Sequence, residues 1–346
     1  MLRTTKVLAA DATGVAHAAA LLRAGGLVAF PTETVYGLGG AALNPQAVAA
    51  IFAAKGRPAE DPLIVHLASA DELPLVTSEV PPLAHRLATL FWPGPLTLVL
   101  PRGSAVPPAV SAGRNTVAVR VPAHPLAQAL IQAIGTPLAA PSANRFGHTS
   151  PTSAAHVLVD LDGRIDAVLD GGTTPLGLES TVLDLSGPTP TLLRPGGISL
   201  EQLETLLGPI AVATRANPGV AMPAPGMLDR HYAPERPLWL VLGSPAAALQ
   251  WIRSRTLAEQ ATGQRVGLLL PNEDLLALAD LAADTETLGS ADDPLALAHN
   301  LYAALRALDA RQPDVILARD FGEVGLARAL SDRLRRAAAG RIVQAP

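Results

Sequence analysis

An α/β fold with a mixed sheet, followed by a smaller doubly wound unit, is what the patterning of this 346-residue chain predicts. Three observations carry it. Short apolar, β-branched runs alternate with Ala-rich amphipathic stretches through the first two thirds. Links such as "WPGP" and "SGPTP" look like connections between neighbouring strands, which gives a mixed sheet. After residue 237 a plain βα rhythm repeats, as in a parallel sheet.

Taken in order, strands are expected at 27–30, 63–67, 96–100, 116–121, 181–185 and 191–195, with a short apolar strand ahead of Ser142. Helices fit 12–24, 45–55, 81–91, 125–134, 151–159 and 199–207. Asn44-Pro45 opens the second helix with a capping side chain and a proline at its first position, and Gly56 stops it. Ser150-Pro151 reads as the start of the fifth. Residues 212–237, "VATRANPGVAMPAPGMLDRHYAPERP", form a Pro-rich linker that also carries Met, His and Tyr, which a plain spacer would not. The remainder gives strands at 238–243, 265–271 and 314–318 and helices at 245–258, 293–309 and 323–338, without a Gly-rich phosphate loop. The domains expected are therefore 1–211, the linker 212–237, and 238–346.

Composition narrows the function. Hydrophobic residues make up 49% and charged residues 16%, so a large core forms and disorder is not expected. The net charge of −4 is spread evenly, which argues against strong nucleic-acid binding. Arg333, Arg335, Arg336 and Arg341 read as a solvated helix face. No cysteine is present, which excludes disulfides, thiolate metal sites and a cysteine nucleophile. No apolar run approaches the roughly 20 residues of a membrane span, so a cytoplasmic protein without membrane contact is expected.

Candidate chemistry begins at "AAKGRP". Lys6 and Lys55 are the chain's only lysines among 26 basic residues. At a helix C-terminus any cation suits the macrodipole. Arginine would serve, so the rare lysine suggests a compact point charge aimed at an anion. Arg57 lies just past Gly56, and both heads could converge on one polyanion. "FPTETVYGLGG" packs hydroxyls, Glu33 and glycines directly after a strand, where ligand sites of α/β sheets gather. His66 shares a strand face with Ile64, and Arg120 shares one with Ala118. A strand-borne arginine needs a partner: a substrate carboxylate or phosphate, or an internal pair with Glu33 or Glu179. Ser142 and Asn144 follow a strand end, and Ser150 either caps a helix or helps seat an anion.

Seven ordered blocks, "FPTETVYGLG", "KGRP…PLIVH", "FWPGPLTLVL", "VAVRVP", "APSAN…SPT", "LESTVLDL" and "LLRPGGIS", resemble the Sua5/YrdC/YciO family from about residue 12 to 340. Lys55, Arg57, Ser142 and Asn144 match its KxR…SxN signature and would be the catalytic residues. "APGMLDRHYAP" and "GLARALSDRLRRAA" resemble its two-domain Sua5 branch. The resemblance implies a YrdC-like twisted mixed sheet with a cleft, then a smaller Rossmann-like Sua5 domain. It implies L-threonylcarbamoyladenylate synthesis: L-threonine, bicarbonate or CO2 and ATP would give threonylcarbamoyl-AMP and pyrophosphate for tRNA t6A37 modification, the product passing to a threonylcarbamoyl transferase. Mg2+ would come with ATP, held by its phosphates rather than by protein side chains. By motif position, threonine would meet Thr34, His66, Arg120, the backbone of Ala140, and Ser180. ATP would meet Arg57, Asp61, Thr116, Ser142, Ser150, Arg194 and Tyr232, with the Pro-rich linker as a lid. The family commonly has Asn at position 61 and Ser-Pro where this chain has Ala224-Pro225. Alternatives are an RNA-binding module of the same fold and a carbamoyl-transfer domain of the hydrogenase-maturation type, which carries cysteine-rich modules absent here.

Overall fold

Asn44 and Pro45 start a helix in the way their chemistry dictates. The Asn44 carboxamide oxygen accepts from the amides of Gln46 and Ala47, and Gly56, at φ 64°, closes the helix in the left-handed conformation. This comes from a computed structural model of the chain, which describes residues 4–213, 222, 224–226 and 231–346. The chain divides into two units: Met1–Phe146 with Ser150–Pro175 and Glu179–Leu228, and Gly147–Thr149 with Leu176–Leu178 and Asp229–Pro346. The described part of the Pro-rich stretch is thus shared, 222 and 224–226 falling in the first unit and 231–237 in the second.

The first unit holds strands β1 (Lys6–Leu8), β2 (Val28–Phe30), β3 (Gly37–Ala41), β4 (Ile64–His66), β5 (Leu96–Pro101), β6 (Thr116–Arg120), β7 (Leu138–Ala139), β8 (Ala167–Leu169), β9 (Thr181–Asp184), β10 (Thr191–Arg194) and β11 (Ala211–Val212). They form one sheet in the order β1-β8-β2-β3-β7-β4-β6-β5-β9-β10-β11. The sheet is mixed: β4 runs parallel to β6 but antiparallel to β7, and β5 runs antiparallel to β6 but parallel to β9. Its helices are α1 (Ala12–Arg23), α2 (Pro45–Lys55), α3 (Leu73–Val76), α4 (Pro82–Phe91), α5 (Pro125–Ile134), α6 (Ala154–Leu161) and α7 (Leu200–Leu207).

Alternation along the central strands decides where the site lies. Val65, Val117, Val119, Leu98 and Leu183 face the main core, which also takes Val48, Ile51 and Leu87 from α2 and α4. Their neighbours Ile64, Ala118, Val99 and Val182 face the other side, where Leu193, Met222 and Ala224 complete a second apolar cluster. His66 and Arg120 follow the parity of Ile64 and Ala118. The Pro-rich stretch therefore lays two buried side chains on the sheet face that carries the candidate site.

Two expectations change here. The fifth helix begins at Ala154, not 151; its N-cap is Ser153, whose hydroxyl accepts from the His156 amide. The Gly-rich loop expected at 30–40 contains β3, a strand made almost wholly of glycine and leucine. Gly39 is required there, because a Cβ would stand 2.9 Å from the Phe30 ring.

The second unit carries β12 (Leu238–Leu242), β13 (Val266–Leu270), β14 (Asp284–Thr287), β15 (Val315–Arg319) and β16 (Ile342–Gln344), all parallel, in the order β14-β13-β15-β12-β16. Helices α8 (Pro245–Ala261), α9 (Asn272–Ala277), α10 (Pro294–Ala310) and α11 (Leu326–Ala338) connect them. The expectation that Arg333 lies on a solvated face is wrong: it is buried, pairs with Asp332, and sets its guanidinium 5.1 Å from the Tyr232 ring centre. Burial against an aromatic face suits arginine, whose planar charge is weakly hydrated.

Candidate active site

Lys55 is the last residue of α2 and only 3% exposed. Its ammonium donates to the backbone carbonyls of Ser142 at 2.6 Å and Asn144 at 2.5 Å. The Lys55 carbonyl in turn accepts from the Phe146 amide at 2.9 Å, so both ends of the residue hold the 142–146 loop. The other edge of that loop pairs with the Gly-rich stretch: Ala143 donates to the Tyr36 carbonyl and Leu38 to that of Pro141. Burial pushes the Lys55 ammonium well below the usual lysine range; Arg57 adds to this, and Asp61 and Asp160 partly oppose it.

Arg57 folds back on its own chain. Nε donates to the Asp61 carbonyl at 2.9 Å and Nη2 to the Pro62 carbonyl at 2.6 Å, while Nη2 also pairs with the Asp61 carboxylate at 2.9 Å. Asp61 is fully buried. Burial lifts its carboxyl above the usual aspartate range, and Arg57, Lys55 and Arg194 each offset only part of the rise. Arg194, from β10, donates through Nε and Nη2 to the Ser180 carbonyl, through Nη2 to the Ser180 hydroxyl, and through Nη1 to the Pro225 carbonyl. The Ser180 hydroxyl lies 2.7 Å from that of Thr97.

On the central strands His66 and Arg120 are register partners. Arg120 is almost fully buried; its Nε donates to the Gly94 carbonyl, Nη1 to the Thr34 hydroxyl at 3.0 Å, and Nη2 pairs with Glu33 at 2.6 Å. The internal pair that the sequence offered for this arginine is thus present, and Thr34 shares the same guanidinium. Burial, then the Arg120 charge, lowers His66 to about 3, so its imidazole is neutral at pH 7. Ala140 gives its amide to the Ile64 carbonyl at 2.9 Å, which leaves its carbonyl as the backbone group able to meet a ligand. Thr116 stands at the far end of β6 on the same face as Arg120, about 13 Å along the strand.

The remaining positions fall elsewhere. Ser150 does not cap a helix; its hydroxyl donates to the Glu179 carboxylate at 2.6 Å. Asn144 uses its amide on the Arg145 carbonyl at 2.8 Å, so its backbone, not its carboxamide, meets Lys55. Tyr232 belongs to the second unit, at φ 61°, stacked 5.8 Å from Tyr302 and beside His231. Residues 214–221, 223 and 227–230 of the expected lid lie outside the described residues.

Sequence reasoning missed Thr97 and the role of Asp61. Thr97 sits inside an apolar strand, and only its pairing with β9 brings it to Ser180. Asp61 read as a phosphate neighbour, whereas its carboxylate is engaged with Arg57. Among the described residues no group of three or more His, Asp or Glu side chains could hold a metal, and no helix is long and apolar enough to cross a membrane.

Together these residues offer buried cations for a polyanion, an arginine and hydroxyls suited to a small hydroxylated carboxylate, and a neutral imidazole beside that arginine. Known proteins resemble the chain as a whole. The Sua5_yciO_yrdC family model, described as "Telomere recombination", matches residues 20–196, and the model described as "Threonylcarbamoyl-AMP synthase, C-terminal domain" matches 198–339. The threonylcarbamoyl-AMP synthase of Bacillus subtilis is 46% identical over 98% of this chain and 97% of its own length. The protein of the same name from Pyrococcus abyssi is 45% identical over 94% of each chain. The crystal structure of P. abyssi Sua5 complexed with L-threonine superposes with a TM-score of 0.91 at 43% identity, covering 98% of this chain and 99% of that one. The chain belongs to the Sua5/YrdC/YciO family, in its two-domain form.

Proposed function

We propose that this chain is a threonylcarbamoyl-AMP synthase, joining L-threonine, bicarbonate or CO2, and ATP into threonylcarbamoyl-AMP with release of pyrophosphate. The observation that carries the reading is Lys55. A rare lysine is buried at a helix end, fixed by the Ser142 and Asn144 carbonyls, and shares Asp61 with Arg57 and Arg194. The two relatives at 45–46% identity bear the name of this enzyme.

Each residue then takes a role. The threonine carboxylate meets Arg120, whose planar fork suits it, with Thr34 beside it. The substrate hydroxyl meets Ser180, itself steadied by Thr97 and Arg194. His66, neutral at working pH, adds no positive charge beside the amine, which must be free to become a carbamate. A carbamate oxygen attacks the α-phosphorus of ATP, the bond to the bridging oxygen breaks, and pyrophosphate leaves. Lys55, Arg57 and Arg194 face the triphosphate, with Ser142, Thr116 and Ser150 as neutral contacts. No side chain becomes a covalent nucleophile; positioning and charge neutralisation supply the rate. Mg2+, held by the ATP phosphates rather than by protein side chains, would neutralise charge there. Met222 and Ala224 already cover part of the functional face, and Pro225 rests on Arg194, so this part of the Pro-rich stretch is assigned to shielding the labile intermediates from water. The product is assigned to a threonylcarbamoyl transferase acting in tRNA modification.

Pyrophosphate release from ATP tests the reading. It should require both L-threonine and bicarbonate; release that ignores either one would refute it.

A further inference from the structure

We infer that Asp61 is the resident counter-ion of the triphosphate-binding cations and sets how tightly the enzyme holds ATP and pyrophosphate. This rests on the functional reading above and adds a residue that acts through others.

Three buried cations act on one carboxylate: Lys55 is 3% exposed, Arg57 7% and Arg194 3%, and each interacts electrostatically with Asp61. Without substrate such charges repel one another and have lost their water, a costly arrangement unless an anion is built in. Asp61 is the anion in contact with Arg57, while Asp160 acts on Lys55 alongside it. The Asp61 carboxylate pairs with Arg57 at 2.9 Å, and it acts electrostatically on Lys55 and Arg194 as well. The guanidinium of Arg57 is wrapped around it, held by the carbonyls of Asp61 and Pro62. Pro58 and Pro62 restrict the backbone of that turn, so the carboxylate has little freedom to swing away.

When a triphosphate arrives, the same carboxylate faces a like charge. Asp61 therefore steadies the empty site and weakens the filled one. The enzyme must let pyrophosphate go after each turnover, and a built-in competitor for its cations favours release. Asp61 is a positioning residue here, with an effect of opposite sign on the two states.

The test is equilibrium binding of ATP and of pyrophosphate, each with and without Mg2+, to the full-length wild type and to Asp61→Asn at fixed pH and salt. Both anions should bind on the order of tenfold more tightly to the variant. L-threonine affinity should not change, and the unliganded variant should melt at a lower temperature. A merely structural residue would give the lower melting temperature without the tighter binding. ATP binding that is unchanged or weaker in a folded variant overturns the inference. Weakening confined to the magnesium-containing titration also overturns it, by making Asp61 a metal ligand. If the asparagine variant fails to fold, Asp61→Ser removes the charge with less bulk and is judged by the same outcomes. A wild type that binds no ATP would sink the functional reading along with this one; a wild type that binds ATP beside a variant that binds no better sinks this inference alone.

Discussion

Replacing Lys55 by methionine removes a charge and three donors while keeping an unbranched side chain only one atom shorter. Two contacts disappear, at 2.6 Å to Ser142 and 2.5 Å to Asn144. Carbonyls left without a donor cost about 1–3 kcal/mol each, yet the variant no longer has to bury an ammonium, which costs several kcal/mol in its own right. The two largely offset, so stability should change by less than about 3 kcal/mol. The loop does not depend on the ammonium alone, since Phe146 and Ala143 hold it through backbone bonds to Lys55 and Tyr36. Catalysis has no such compensation. Losing a preorganised cation at a transferring phosphoryl group should slow pyrophosphate release by at least about a hundredfold, near 3 kcal/mol. Lys55→Arg should fail as well, because a planar fork cannot place one donor between two carbonyls in a site this closed. The assay is threonine- and bicarbonate-dependent pyrophosphate release, with a thermal melt beside it. Turnover within threefold of wild type for the folded Lys55→Met protein would refute the reasoning.

Further outcomes follow from other residues. Arg120→Lys should raise the KM for L-threonine at least about tenfold and leave that for ATP unchanged, because a point charge cannot hold a carboxylate in two-pronged fashion while serving Thr34 and Glu33; an unaltered threonine KM would count against the carboxylate role. His66 has its imidazole lowered from 6.5 to about 3, so the unfolded chain takes up a proton that the folded one refuses. Its contribution is present above pH 6.5 and is lost at up to roughly 1.4 kcal/mol per unit as pH falls toward 3; His66→Gln should flatten the fall in urea midpoint between pH 6.5 and 4, and an identical slope would show that another group is responsible. Gly196→Ala would put a Cβ 2.4 Å from the Glu179 carbonyl oxygen and against the Ser180 backbone, so a loss of about 1–3 kcal/mol should come with weaker threonine use; wild-type melting would mean that the strand yields freely. Tyr232→Ala removes a ring that stacks on Tyr302 and lies against Arg333 and should destabilise by about 3–5 kcal/mol; an unchanged melting temperature would show that the ring contributes little.

Much of this was legible in the residues. The cap at Asn44, the left-handed Gly56 and the shared faces of His66 with Ile64 and Arg120 with Ala118 follow from short-range chemistry and strand parity, and the chain adopts them. What stayed hidden depends on partners distant in sequence. β3 escaped notice because glycine has poor strand propensity; β2 and β7 impose the strand on "GLGGA" by pairing on both sides. Ser150 looked like a helix cap, since hydroxyl followed by proline is a common start, but the next available cap, Ser153, takes the role and frees Ser150 for Glu179. Lys55 was expected to meet an anion with its serine and asparagine neighbours; the neighbours do meet it, through carbonyls that no side-chain pattern announces. The choice of lysine over arginine then has a geometric reason, because a single tetrahedral head fits between two carbonyls on one short loop.

The even charge of the sequence and the cation-rich site are not in conflict, because each cation in the site already has an internal partner. Arg120 has Glu33, Arg57 has Asp61, Arg194 has Ser180 and Pro225, and Lys55 has two carbonyls. Selectivity for a compact anion then comes from exchange: a ligand must enter the fold and replace or share these partners with matching geometry. A nucleic-acid backbone cannot do so. Its phosphates are spread along a chain and need exposed cations, whereas Lys55, Arg57, Arg120 and Arg194 are all 7% exposed or less. These buried residues therefore lend the RNA-binding alternative no support. It follows that ionic strength should change ATP affinity only shallowly, since screening acts weakly on buried charges. A steep loss of ATP binding between 50 and 500 mM salt, of the order seen for surface phosphate contacts, would mean that the working cations lie outside this site.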